Sequence, residues 1–238
     1  MAERKRIETL PDEVEREHDL SRRKMLAAEA ALLLLLRRRR AETFKLNLAP
    51  RETALRLVSV LTDEIFLGRR RARKLAVERM ARELRAIGAH DVADALGPSG
   101  RASEALDVLR ARRAAQAAAA RWERVASAAG TTEGNVYRTA AARTDWVLRS
   151  AAGTETSTAF SAERRLAIYG LEGRVELWKV WDATLDHRTC SVCAHSHGTV
   201  VRLSEQFPGG RPGDVHNLCR CIETIVPVEL TEPATRAA

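Results

Sequence analysis

The sequence predicts a mainly α-helical protein: long N-terminal helices followed by a small C-terminal α+β module stabilised by zinc. Three observations lead there. Hydrophobic residues make up 45% and charged residues 30% of the 238, a globular composition, while aromatics are only 4% and Ala and Arg abound. Ala loses no side-chain entropy in a helix and Arg loses little, so this skew favours helices. Apolar residues also recur at helical spacing through most of the chain, up to about residue 175. Finally, all four cysteines, Cys190, Cys193, Cys219 and Cys221, fall close together near the C-terminal end.

Thr9-Leu10-Pro11-Asp12-Glu13 combines a capping hydroxyl, an early proline and first-turn acids, which predicts a helix from there to about Glu42. Pro50 opens the next, with Ala54, Val58, Leu61 and Ile65 on one stripe. Ala76, Met80, Leu84 and Ile87 form a third stripe, closed by Gly88. Leu96-Gly97-Pro98-Ser99-Gly100 is a break. One long helix follows from Ala102 to about Ala129, with Gly130 as its C-terminal cap. Thr131 or Thr132 then caps a helix carrying Val136, Ala140 and Val147, and Ser161 starts another that ends near Gly170.

After Gly173 the period changes. Val175-Glu176-Leu177-Trp178-Lys179-Val180-Trp181 alternates and is rich in β-branched and aromatic residues, which predicts a strand. Thr199 to Leu203 and Ile222 to Val226 are two further short strands, separated by the loop Phe207-Pro208-Gly209-Gly210-Arg211-Pro212-Gly213. The organisation expected is a basic helical region 1–97, a helical region 98–174 leading into the module, the Cys/His module 175–230 and a disordered tail 231–238. Three strands with loops are too thin to be held by apolar burial alone, so a further stabilising element is expected.

Charge separates the same regions. The net charge is +8, yet five basic residues (Lys179, Arg188, Arg202, Arg211, Arg220) meet six acidic ones between Trp178 and Leu230, a net of −1. The positive excess lies upstream, in runs such as Arg37 to Arg40 and Arg69 to Lys74. Such runs suit phosphate neutralisation. An Arg-rich helix interleaved with Glu78 and Glu83, as between Arg71 and Arg85, is more simply a solvated face. The longest apolar stretch, Leu26 to Leu36, contains Glu29 and falls short of a ~20-residue membrane span. The charged N-terminus, with no small-residue cleavage site, predicts no secretory signal.

Without a signal for secretion, clustered cysteines point to metal ligation rather than a disulfide framework. Cys190-Ser191-Val192-Cys193 is a C-x2-C pair, which aims two thiolates from one turn at one ion. His216-Asn217-Leu218-Cys219-Arg220-Cys221 supplies a second group after a loop. Structural zinc takes four tetrahedral ligands, and five candidates compete for them: Cys190, Cys193, His216, Cys219 and Cys221. In an extended C-x-C the side chains point to opposite faces, so one of Cys219 and Cys221 is a bystander unless the chain turns sharply. His195 and His197 follow the first pair on an expected loop; either could replace a ligand, but both are read as facing solvent. A filled set of four leaves no open position, which favours a structural role over a catalytic one.

The residues Val180 to Cys190, Cys193, Gly198 and His216 to Cys221 resemble the C-terminal module of phage Mu F-like minor head proteins, the head-morphogenesis proteins of tailed phages. The family pattern is a Trp, a spacer, an Asp-x-Arg, a pair such as C-x2-C, a loop and a closing His-Pro-x-Cys-Arg-Cys. Carried over, Trp181, Asp186 and Arg188 match the opening, Cys190 and Cys193 the pair, and His216, Cys219, Arg220 and Cys221 the closing motif. Arg143-Thr144-Asp145 is similar to the family's Arg-Thr-Glu with Asp for Glu, and Asn217 stands where Pro is usual. The resemblance spans about Arg143 to Pro227, roughly a third of the chain. It implies a non-enzymatic component of a virion or phage-like particle, assembled in the bacterial cytoplasm. Its partners would be the portal and other capsid or scaffold proteins, with non-specific contact to packaged DNA and no membrane.

Sharper readings of single residues compete with plainer ones. Asp186 and Arg188 could be a catalytic acid and its electrostatic partner, but such a pair more simply orders the loop carrying the first ligands. Trp178 and Trp181 could stack bases, but at least one belongs in the core of so small a module. The rival function is an HNH-like zinc-stabilised nuclease acting on DNA, suggested by His216-Asn217 beside the cysteines. That chemistry needs a His base and a separate catalytic metal. Here His216 belongs to the ligand group, and no Asp-His pair precedes it at a strand end. No phosphate loop or nucleophile elbow is present in the sequence.

Overall fold

A computed structural model describes residues 12–97, 102–129, 135–171, 177–186, 188–216 and 218–227. The expected first cap at Thr9, the break at Pro98 to Gly100, the caps at Gly130 to Thr132, the opening Val175-Glu176 of the first strand and the tail 231–238 lie outside them. The protein is mainly helical, with a small three-stranded antiparallel sheet towards the C-terminal end. Among the described residues no helix is long and apolar enough to cross a membrane.

Helix α1 runs Asp12–Phe44, and its buried residues Val14, His18, Ser21, Met25, Leu32 and Leu36 repeat every three, four or seven positions. The next two expected stripes belong to a single helix, α2 (Pro50–Ala86). Nothing between Ile65 and Ala76 interrupts the buried face, because Gly68, Arg69, Ala72 and Arg73 continue it. Gly68 is tolerated mid-helix for its size: a Cβ there would stand 2.8 Å from both δ carbons of Leu32. Gly88 follows with φ +81, the left-handed conformation that ends a helix. A short α3 (His90–Asp94), not anticipated from the sequence, comes next, and then α4 (Ala102–Ala128) matches its expected span.

Helix α5 (Asn135–Leu171) is likewise continuous, and Ser161 does not start a new one. Its middle, Thr156-Ser157-Thr158-Ala159-Phe160-Ser161, has poor intrinsic helix propensity but is buried throughout. Tertiary packing therefore holds the helix where propensity would end it. The Ser161 hydroxyl does not cap; it donates to the Cys221 carbonyl at 3.3 Å.

Strand β1 (Leu177–Asp182) lies between β2 (Val200–Arg202) and β3 (Ile222–Pro227), antiparallel to both. The register places Lys179 opposite Val201 and Ile225. β1 is buried on both faces, so the expected in–out alternation fails even at Lys179, whose ammonium lies 5.4 Å from the Phe207 ring and 5.9 Å from that of Tyr169. Trp181 is fully buried, edge-on to Phe207, while half-buried Trp178 lies under the Arg202 guanidinium.

The chain divides into two compact units. One comprises described residues of 12–25, 72–97 and 157–227, the other those of 26–71 and 102–156. In the first, Leu177, Leu203 and Ile225 of the sheet region pack against Met80, Leu84, Ile168 and Leu171. The sheet is thus covered by helices of its own unit, which supplies part of the support that its thinness demands. The core also contains ions. Arg164 and Glu83 are both fully buried and bridge in two hydrogen bonds, at 2.9 and 2.5 Å, while Arg164 Nε donates to the Glu223 carbonyl at 2.5 Å. Arg73 pairs with Glu163 and Arg79 with Glu17. The Arg71–Arg85 stretch, expected to be a solvated face, thus buries Arg73, Arg79 and Glu83.

In the second unit Leu57, Leu61, Ile65, Ala111, Ala115, Trp122 and Leu148 belong to one apolar cluster, and Phe44, Trp122 and Tyr137 stack at 5.2 to 5.8 Å. Arg37 and Arg40 converge on Asp145, and the fully buried Arg69 pairs with Asp107 and Glu155.

Candidate metal centre

Three segments meet at the cysteines. The first is the turn after β1. Leu185 there adopts φ +47, and the Asp186 backbone N–H donates to Thr189 Oγ1 while Asp186 Oδ1 accepts from the Arg188 N–H, each at 2.9 Å. This delivers the chain to Cys190. The second is the short helix α6 (Ser191–Ser196), where a loop was expected; Cys190 is its N-cap, and its sulfur accepts from the Cys193 N–H at 3.4 Å. Helical spacing turns Cys193 inward to burial and leaves His195 exposed. His197, just beyond, is half-buried, and its Nδ1 accepts from the Ala183 N–H at 3.1 Å. His195 is thus exposed as expected, whereas His197 is tied to the end of β1.

The third segment enters β3. Leu218 has φ +65, a sharp turn between His216 and the C-x-C pair. Both Cys219 and Cys221 are buried here and reach the same sulfur, that of Cys193. The opposite-face geometry of an extended C-x-C does not apply, because 219–221 precede the regular strand.

The five candidates form two overlapping triads. Donor atoms of Cys190, Cys193 and His216 lie within 4.8 Å of one another, as do those of Cys193, Cys219 and Cys221. Cys193 is common to both: its sulfur stands 3.4 Å from His216 Nε2 and 3.8 Å from Cys219 Sγ. The cluster can therefore hold a metal ion, with soft sulfur predominating among the donors. His216 and half-buried Cys190 form its outer side, and the other three cysteines are buried. The space between Thr184, Arg188, Cys190, His216 and Arg220 is about 10 Å³, a volume on the scale of one water rather than a substrate.

Electrostatics distribute the protons unevenly. The Cys221 thiol beside it holds Cys219 down at about 5, and Cys219 in turn drives Cys221 up. Burial pushes Cys193 up to about 12. Burial opposes ionisation of Cys190 as well, but the Cys193 N–H bonded to its sulfur brings it below the ordinary thiol range. Metal binding at Cys193 must accordingly displace a proton, which makes affinity rise with pH.

Asp186 and Arg220 lock the ligand segments together. The guanidinium of Arg220, between the two closing cysteines, donates to both Asp186 carboxylate oxygens at 2.6 Å, and Thr184 Oγ1 donates to the Arg220 carbonyl at 3.2 Å. Arg220 holds the Asp186 carboxyl well below the usual carboxylate range. The partner of Asp186 is thus Arg220, 34 residues away, and not the side chain of Arg188, which contributes its backbone N–H. No local sequence signal marks that pairing, nor the bracing role of Thr184 and Thr189. Comparison of the chain with protein families, with curated proteins and with solved structures finds no match.

Proposed function

We propose that this chain is a minor head protein of a phage or phage-like particle. It acts in head morphogenesis at the portal through protein contacts rather than catalysis, with a structural zinc ion in its cysteine cluster. One observation carries the reading: the residues that bear the resemblance, Asp186, Cys190, Cys193, His216, Cys219, Arg220 and Cys221, are those that meet around the cluster. Two sulfurs each about 2.3 Å from a tetrahedral zinc stand about 3.8 Å apart, and a sulfur and an imidazole nitrogen about 3.5 Å apart. The 3.8 and 3.4 Å separations around Cys193 agree with both. The small space, with no room for a substrate, and the braced loops support a rigid structural site rather than a reacting one. The ion would cross-link the turn after β1, α6 and the approach to β3, holding one shape for a partner to recognise.

The first test is quantitative mass spectrometry of gradient-purified, DNA-filled particles. A few copies of this chain per particle, alongside a portal protein, are expected. Absence from both mature particles and assembly intermediates would reject the reading, and metal-dependent DNA cleavage by the purified protein would replace it with the nuclease.

A further inference from the structure

The arginine runs conspicuous in the sequence are largely neutralised within the fold. Arg37 and Arg40 pair with Asp145, Arg39 with Glu64, Arg69 with Asp107 and Glu155, and Arg73 with Glu163. Helix α4 is different. Its buried stripe, Asp107, Ala111, Ala115, Trp122 and Ala126, fixes which side faces outward. On that outward side Arg110, Arg113, Arg121 and Arg124 follow one line of the helix. All four are exposed, and none has a hydrogen-bond or ion-pair partner among the described residues. Between Arg110 and Arg124 the only acid is the half-buried Glu123.

We propose that this face of α4 is a docking surface for the phosphate backbone of duplex DNA. From Arg110 to Arg124 the face is about 21 Å long at 1.5 Å per residue, a length of duplex carrying about twelve phosphates. Exposed Ala117 and Ala120 keep the middle of the face low, so the helix can approach the backbone while the arginine pairs at either end reach it. The face presents guanidinium groups almost alone, so it makes phosphate contacts without reading sequence. The choice of DNA over other polyanions rests on the head-protein reading; the charged face itself does not.

Fluorescence anisotropy of the full chain with a labelled mixed-sequence duplex of about 30 base pairs, longer than the face, tests this across about 50 to 200 mM salt. Log affinity is expected to fall with log salt at a slope of about −4, matching about four phosphate contacts. Arg113→Gln with Arg121→Gln should flatten the slope by about 2 and weaken binding by about tenfold or more. Arg51→Gln with Arg56→Gln removes the same charge from exposed arginines on α2 and should change affinity by less than about threefold. Circular dichroism should be the same for all three proteins. No binding at the lowest salt, an unchanged slope in the α4 variant, equal losses in both variants, or tighter binding to double-stranded RNA or polyglutamate would each overturn the proposal. Particle composition is read separately, so a chain that binds DNA yet is missing from particles would reject the head-protein reading alone.

Discussion

The unit built from 26–71 and 102–156 gathers its buried Leu, Ile, Ala and Trp side chains into one cluster. The unit that carries the cysteines splits its apolar residues among smaller clusters and places ions and thiols between them. An apolar cluster is non-directional and tolerates a missing methylene by partial collapse. A core of bidentate arginines and convergent sulfurs depends on each donor finding its own acceptor, and removing one partner strands the other. The same chain thus holds one region chiefly by one continuous apolar cluster, with Arg69 as its buried ion-paired member, and divides the other among small clusters joined by particular long-range pairs.

The largest test of that contrast is metal removal. Structural zinc supplies on the order of 10 kcal/mol in small zinc-dependent domains. On the zinc reading proposed above, chelation, or Cys193→Ser at the shared ligand, should therefore cost more than any other single change. Hydrogen exchange should show lost protection in 177–227 while α4 keeps its own. Equal loss in both would break the comparison.

Next is the buried pair. Arg164→Ala leaves Glu83 charged and fully buried, and should destabilise the protein by about 3–5 kcal/mol in urea unfolding. Replacing both together, by Arg164→Met and Glu83→Leu, should cost far less than Arg164→Ala alone. If the double change is the more costly, the pair stabilises by more than satisfying its own desolvation.

The two units also contain aspartates that answer pH in opposite senses. Burial raises Asp182 to about 7 against the pull of Arg22. The folded state therefore keeps a proton that the unfolded chain releases near pH 4, so this contribution is full below about 4 and disappears as pH rises to about 7. Asp145 is the reverse: the Arg37 hydrogen bonds hold it well below its ordinary value, so its contribution is present at neutral pH and lost as pH falls below about 4. Asp182→Asn should gain stability relative to the parent between pH 5 and 8. Asp145→Asn should lose most at pH 7 and least at pH 3. Urea midpoints at those values measure both.

The smallest effect belongs to the surface. Arg38 and Glu42 form an exposed i,i+4 pair at 2.9 Å, and Arg38→Ala should leave the urea midpoint unchanged within experimental error.

Much of this was legible beforehand, for identifiable reasons. The extent of α4, the start of α2 at Pro50, the three strands and the convergence of Cys190, Cys193, His216, Cys219 and Cys221 follow from local period, caps and ligand spacing. The misjudged places share a feature. The two separate stripes before Ile65 and after Ala76 suggest two helices, and Ser161 suggests a helix start, yet the buried Gly68, Arg69, Ala72 and Arg73 at one and the buried contacts of Ser161 at the other keep each helix going. α6 is only six residues long, too short to show a period. Arg73, Arg79 and Glu83 look like a solvated face because nothing in 71–85 announces Glu163, Glu17 or Arg164.

The sequence alone determines that most of this chain is helical, that its last strands form a separate pattern, and that five sulfur and imidazole donors are spaced for a common site. The helices, the strands and the pairing of donors within each cysteine group depend on neighbours within a few residues, where backbone geometry converts spacing directly into direction, and the thiols' shared affinity for one ion links the two groups. Tertiary structure decides which arginines are consumed and which face outward, that Asp186 closes on Arg220 rather than Arg188, and that Cys219 and Cys221 both turn towards Cys193. Each of these joins groups far apart in the chain, and a long-range contact leaves no local period from which to read it.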